Sequence, residues 1–184
     1  MRYATTVVVC MMLYGCLGGP KNVRPVENFE LERYLGKWYE IARLDHSFER
    51  GLENVTAQYS LREDGGIDVV NRGYSPEQGE CVEARGKAYF VDNPTKGHLK
   101  VTFFGPFYGS YVIFELDKTN YQYSFVAGPN YSYLWLLSRT PTVSDKLMAR
   151  FVDRSETLGF DTAELIKVPH KQDEQRLTDC SHYE

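Results

Sequence analysis

From residue 38 to residue 138 the chain is a succession of eight short strand-like segments with no helical stretch between them. They cover residues 38–43, 55–62, 67–74, 82–91, 99–104, 111–116, 121–127 and 133–138. The second alternates apolar and polar residues through Val55, Ala57, Tyr59 and Leu61, which marks a strand with one buried face. Asp64-Gly65-Gly66 follows it as a hairpin signal. Spacing near a dozen residues leaves room only for tight connections, so neighbours run antiparallel in an up-and-down sheet. Eight strands are about the number at which a closed barrel just holds one small ligand, and closure removes exposed edges. An all-β, eight-stranded antiparallel barrel is therefore expected, with an open sandwich as the alternative. Fourteen Tyr and ten Phe suit that architecture, because aromatic side chains favour strands and fill interiors.

Two helical signals flank the strands. Residues 28–35 read as a helical turn that Asn28 caps and Gly36 ends. After Pro141, Thr142 is placed to cap a helix with Asp145 three residues on. In that helix Leu147, Met148, Phe151, Val152, Ser155 and Leu158 form one stripe before Gly159. Such a stripe must pack on something, and the outer face of the sheet is the natural partner. The segment 133–137, apolar on both faces, fits a strand that fills the interior and is covered from outside.

The first fifteen residues read as an address. Arg2 precedes an apolar run, residues 5–14, too short to cross a bilayer but long enough for a signal-peptide core. Leu13-Tyr14-Gly15-Cys16 resembles a bacterial lipoprotein box, although Tyr14 stands where a small residue is usual. On that reading Cys16 becomes the lipidated N-terminus; the alternative is a plain signal peptide that happens to contain it. Leu17, rather than Asp, follows the cysteine, which by the enterobacterial sorting pattern points to the outer membrane. The expected organisation is a signal peptide over 1–15, a lipidated N-terminus and linker over 16–27, a barrel and helix over 28–170, and a polar tail over 171–184.

Cysteine chemistry follows from that compartment. Cys10 leaves with the signal peptide and Cys16 carries lipid, so Cys81 and Cys180 remain as an even pair in an oxidising space. A disulfide between them would tie down a tail with little apolar surface. Two free thiols or an intermolecular bridge stay open at this point.

Against this background Gly36-Lys37-Trp38 becomes specific, because it resembles the Gly-x-Trp motif of the lipocalins. Thr119-Asn120-Tyr121 resembles that family's second motif, with Asn120 in place of Asp. Leu137-Ser138-Arg139 resembles the third, whose arginine lies on the first motif's tryptophan. The resemblance spans roughly 29–169 and is closest to the bacterial outer-membrane lipoprotein branch related to apolipoprotein D. It implies that Trp38 and Arg139 form a structural pair closing the barrel floor, with Gly36 letting the backbone turn tightly before the strand. A cation–π contact of ~0.5–2 kcal/mol and hydrogen bonds to carbonyls of the crossing chain would hold that floor. It also implies a Cys81–Cys180 disulfide, since in lipocalins that carry one a C-terminal Cys meets a Cys early in the fourth strand.

Little points to catalysis. His46, His98, His170 and His182 are scattered without metal-ligand spacing, and no Gly-x-Ser-x-Gly elbow occurs. Gly105-Pro106-Phe107-Tyr108-Gly109 lacks the Lys and Ser/Thr of a phosphate loop. A net charge of −4 with no basic stripe argues against nucleic acid. No metal and no cofactor is expected. The resemblance implies a non-enzymatic carrier, anchored in the outer membrane, for a fatty acid or lysophospholipid. Arg50, Phe107 and Tyr108 are candidates at the mouth: Arg50 to meet an anionic head, Tyr108 to donate to it. Phe107 and Tyr108 could equally pack beside a turn or at a homodimer contact. Two other readings stay open: a lipocalin-shaped adaptor whose barrel is filled, and an enzyme using a free Cys81 thiol.

Overall fold

The computed structural model describes residues 18–171 and Cys180. The signal-peptide reading of 1–15, the lipidation of Cys16 and most of the polar tail lie outside the described residues.

Eight antiparallel strands follow in sequence: β1 (Gly36–Arg43), β2 (Glu53–Leu61), β3 (Ile67–Ser75), β4 (Glu80–Phe90), β5 (His98–Thr102), β6 (Gly109–Leu116), β7 (Tyr123–Ala127) and β8 (Leu134–Ser138). Each pairs with the next, and β1 pairs with both β2 and β8. The sheet is thus a closed barrel, and the open sandwich is ruled out. A two-residue strand, β9 (Ile166–Lys167), adds to β1 from outside at Ala42 and Arg43. Two exposed residues carry no readable alternation, so β9 had no sequence signal.

Connections at one end of the barrel are residues 62–66, 91–97 and 117–122; at the other they are 44–52, 76–79, 103–108 and 128–133. Trp38 lies near the first end, hereafter the floor. The second end is the mouth.

Both helices begin later than the sequence suggests. The first is the single turn α1 (Leu31–Tyr34), preceded by Glu30, which makes no side-chain cap. Asn28 instead adopts a left-handed φ of 55°, and Gly36, at φ 94°, is the first residue of β1 rather than a helix end. A glycine there lets the chain turn sharply into the barrel. The second helix, α2 (Asp145–Leu158), is capped by Ser144, whose Oγ accepts from the Leu147 amide at 3.2 Å. Thr142 is not the cap: its carbonyl accepts from the Thr140 hydroxyl at 2.8 Å. Gly159 ends α2 in the left-handed conformation, φ 100°, as its position predicts.

Two apolar layers result. Inside the barrel Phe29, Tyr34, Trp38, Tyr59, Ile67, Val69 and Leu99 pack above the floor. Outside, the α2 stripe covers β6, β7 and β8, with Phe151 edge-on to Phe125 at 4.9 Å and Leu134 and Leu136 buried beside them. Trp135 and Leu137 alternate with those leucines and point inward, which explains a strand apolar on both faces.

Cys81, in β4 at the mouth, is joined to Cys180 as a disulfide across 99 residues of sequence. Closing so long a loop constrains the unfolded chain by up to ~4.7 kcal/mol, with measured losses usually ~2–4 kcal/mol. Replacing both cysteines by serine is expected to lower unfolding stability by about 2–4 kcal/mol, read from urea midpoints at unchanged slope.

Candidate functional site

The floor is built around an indole. Trp38 is completely buried, and its Nε1 donates to the Tyr34 carbonyl at 2.8 Å. The Arg139 guanidinium lies over its ring, 3.9 Å from the centroid. Arg139 donates at the same time to the carbonyls of Lys37, Arg33 and Leu35 at 2.8–2.9 Å and of Tyr121 at 3.3 Å. One planar cation therefore ties α1, β1 and the β6–β7 loop to the plug. Tyr121, buried and at φ 56°, donates nothing to this fork but accepts the Glu30 amide on its hydroxyl at 3.0 Å. Arg33 covers the Tyr121 ring and donates to the Thr119 carbonyl at 2.7 Å. The negative charge missing at Asn120 is supplied nearby by Asp117, which accepts the amides of Thr119, Asn120 and Gln122 at 3.2–3.3 Å.

Above the floor runs a chain of hydroxyls that the sequence did not single out. Tyr34 and Tyr59 each meet the Tyr111 hydroxyl, at 2.8 and 2.9 Å, and Tyr34 donates to Ser124 Oγ at 3.2 Å. Burial pushes the Tyr34 phenol up to about 12 and raises Tyr59 and Tyr111 well above the ordinary value. All three stay protonated at neutral pH and keep a hydrogen to donate.

Nearer the mouth sits a buried ionic group, also unforeseen. Glu40 and Arg43 pair at 2.7 Å, and Arg43 Nη2 donates to the Glu49 carbonyl at 2.6 Å. The Glu49 carboxylate accepts from Trp135 Nε1 at 3.2 Å and lies 3.0 Å from His46 Nε2. Burial, with Glu49 beside it, pushes Glu40 well above the usual carboxylate range against the pull of Arg43. Both Glu40 and Arg43 face inward because β1 bulges between them: Glu40 is opposite Leu137 and Arg43 opposite Trp135, with Ile41 left over. Strict alternation from Trp38 would have turned Arg43 outward.

The wall between these layers is uneven. Along β2, β3 and β4 the inward positions include Ala57, Asn71, Ala84, Gly86 and Ala88, all short side chains. Phe103 packs over Gly86, close enough that a Cβ there would touch its ring at 2.9 Å. Ala84 shares the inner face with buried Gly86 and Ala88 yet is exposed, so solvent reaches the barrel interior beside it. Asn71 Oδ1, buried on the same side, has no hydrogen-bond partner. Short side chains and an unused acceptor thus face inward along β3 and β4.

The mouth candidates are placed apart from one another. Arg50 is exposed and held by Asp45 through a two-pronged contact at 2.7–2.9 Å. Tyr108 folds down the outside of the barrel, with Lys100 Nζ 5.2 Å from its ring and Tyr89 at 6.4 Å, so its hydroxyl is not aimed into the barrel. Phe107 stands in solvent at the rim. A cleft of about 710 Å³ outside the barrel, between β6 and α2, is walled by Glu115, Lys146, Arg150, Asp153 and Arg154. Its charged walls offer an acyl chain nothing. Among the described residues no group of three or more His, Cys, Asp or Glu is placed to hold a metal ion.

A sealed floor, a closed eight-stranded barrel and one outer helix define a small β-barrel binding protein. A family profile for the lipocalin-like domain matches residues 29–170, and the chain belongs to the lipocalin family. It is 62% identical over 168 residues to the "Outer membrane lipoprotein Blc" of Vibrio cholerae, covering 91% of this chain and 98% of that protein. To the protein of the same name in Escherichia coli it is 53% identical over 149 residues, 81% and 84% of the two chains. Mouse apolipoprotein D is 32% identical, with 73% and 74% covered. Insecticyanin from the tobacco hornworm Manduca sexta shares the fold, with a TM-score of 0.68 at 20% identity over 89% of each chain. Lipocalins are in general binding proteins. Like its near relatives, this one is an outer-membrane protein held by a lipid anchor.

Proposed function

We propose that the barrel binds a fatty acid or lysophospholipid in the cell envelope and carries or stores it there, without catalysis. The observation behind this is an inner wall that is sealed below by Trp38 and carries short apolar residues, Ala57, Gly86 and Ala88, beside the exposed Ala84. Such a wall suits a slender acyl chain, and the tyrosine hydroxyls and Asn71 Oδ1 are the few polar groups that would orient it. A thiol-dependent enzyme would need Cys81 free, and Cys81 is in the disulfide. Cys16, three residues before Gly19, is the residue we assign to the anchor.

Titrating a fluorescent fatty acid into the purified protein is expected to raise its emission, and unlabelled oleate to reverse it. Ala84→Phe adds to that wall a ring that a strand accommodates well. It is expected to weaken binding by roughly tenfold or more while the urea midpoint stays nearly unchanged. A probe that stays dark beside a working carrier, or an Ala84→Phe variant that binds as tightly as the parent, rejects the reading. The first result would favour an adaptor with a filled barrel.

A further inference from the structure

The chain joins the barrel at its flank. Gly19 lies against Val112 and the Gly128 carbonyl, and Val112 is the fourth of the eight residues of β6. Val23 is buried in the apolar cluster that Val112 and Phe114 of β6 form with Phe151 of α2. Val26 then bonds Ile113 and Gly97. Residues 19–26 are thus a strap on the outer side of β6, beside α2. Cys16 is three residues before Gly19, a reach of at most about 11 Å. Half of β6 separates Val112 from either end of the barrel, about 10–13 Å allowing for tilt, and the end loops stand beyond that. The anchor is therefore tied to the side wall at half height, not to the floor or the mouth.

Cations gather on that wall. Lys21 and Arg24 are exposed on the strap and Lys146 on α2, and among the described residues none of the three is paired with an acid. Arg150 and Arg154, one helical turn apart, both turn their Nε toward Glu115 of β6, at 2.6 and 3.8 Å, while 61% and 49% exposed. With Lys146 they wall the outer cleft, which Asp153 and Thr157 complete. Asp145 and Glu156 fall on the other edge of α2 by its helical repeat. Five cations thus face two acids, Glu115 and Asp153, on a chain of net charge −4. The far wall is different. In the closed strand order β2 and β4 lie across the barrel from β6 and β8. Arg62, Arg72 and Arg85 there are each paired with Asp68 or Glu83. Cys81 of β4 also holds Cys180, and the sequence after Lys171 carries Asp173, Glu174, Asp179 and Glu184 against one cation, Arg176.

We infer that this flank is a docking surface for the anionic headgroups of the leaflet that holds the anchor. Lys21, Arg24, Lys146, Arg150 and Arg154 meet lipid phosphates, and the barrel lies on its side. A wall tethered this closely stays within about a Debye length of the leaflet, about 10 Å at 0.1 M salt, so each cation on it adds attraction. Glu115 holds two guanidiniums side by side, an arrangement that suits the oxygens of a phosphate. The acidic far wall is repelled and sets which side turns down. The mouth then opens along the membrane, clear of the bilayer. The pose rests on the anchor assigned above to Cys16, not on the ligand.

The test uses the full-length lipidated protein in phosphatidylethanolamine–phosphatidylglycerol vesicles that contain a little dansyl-headgroup lipid, which accepts energy from nearby tryptophan. Thr157→Trp, in the cleft, is compared with Ser60→Trp, exposed on β2 across the barrel, after subtracting the parent's signal from Trp38 and Trp135. Transfer from position 157 is expected to exceed that from 60 at least about twofold, and the excess is expected to vanish at about 0.5 M salt or in phosphatidylcholine alone. Lys21→Gln with Arg24→Gln and Lys146→Gln leaves the Glu115 pairs intact and is expected to remove roughly half of the excess or more. Equal transfer from the two positions, more from 60, or an excess that neither salt nor the triple variant changes overturns the inference. Protein that washes off the vesicles at high salt sinks the anchor and the pose together. Protein that stays on them with equal transfer sinks the pose alone.

Discussion

Trp38→Ala is expected to destabilise the fold by about 3–5 kcal/mol, the range for removing a fully buried large aromatic side chain. The loss has two parts. The indole is the floor of the barrel, wholly out of water, and its removal leaves a void that Tyr34 and Phe29 are too constrained to fill. It also takes the support from under Arg139, whose guanidinium is desolvated enough that its pKa is lowered. Arg139→Met keeps a long apolar stem but strips donors from four carbonyls, an expected cost of about 2–3 kcal/mol once water reaches the exposed ones. Arg139→Lys recovers less than half of that, because one ammonium cannot serve carbonyls on α1, β1 and the β6–β7 loop from a single plane. The two sites act as one unit, so Trp38→Ala with Arg139→Met should cost at least ~0.5 kcal/mol less than the two single losses combined. Urea midpoints of the four proteins measure the cycle. Strict additivity would mean that the cation and the ring merely sit near each other.

How much of this could be read from residues alone differs from layer to layer. The strands were legible because alternation and turn residues are local, and the strand positions differ from expectation mainly at their ends. The floor was legible through three motifs far apart in sequence, since Gly36, Trp38 and Arg139 are distinctive residues whose meeting the family pattern implies. The helix start was misplaced by two residues because Thr142 and Ser144 can both cap, and only the reach of one hydroxyl to the Leu147 amide decides between them. The ionic group above the floor was hidden for a different reason. Glu40 and Arg43 are three apart, a spacing that puts two strand residues on opposite faces unless a bulge intervenes, and nothing around Ile41 announces one. The tyrosine chain was invisible because Tyr34, Tyr59 and Tyr111 come from separate elements in a sequence with fourteen tyrosines. At the mouth, the loop holding Phe107 and Tyr108 was found, but the two rings part company: one points into solvent and the other lies back along the wall.

The ionic group yields the second large effect. Arg43→Met is expected to cost about 3–5 kcal/mol, the penalty for leaving buried acids without their cation. Two acids would remain in the interior, Glu40 and Glu49, the first without the guanidinium that paired with it. Glu40→Gln should cost far less, because a neutral amide still accepts from Arg43 and ends the repulsion between the acids. The double variant Arg43→Met with Glu40→Gln should accordingly regain a large part of the single loss. The sign of the pH dependence follows from the raised pKa. Between the ordinary glutamate value and its own higher one, Glu40 holds a proton in the folded barrel that it lacks in the unfolded chain. Its contribution therefore falls as pH rises through that window. Removing Arg43 takes away the pull toward ionisation, so the decline should extend to higher pH, and Glu40→Gln should flatten it. Urea midpoints taken at intervals between about pH 5 and 8 give the slopes, and the parent minus Glu40→Gln difference isolates this carboxyl from His46 and every other group. A slope unchanged by Glu40→Gln would place the proton elsewhere. An Arg43→Met loss under about 1 kcal/mol would mean that water already reaches the pair from the mouth and screens it as it does a surface bridge.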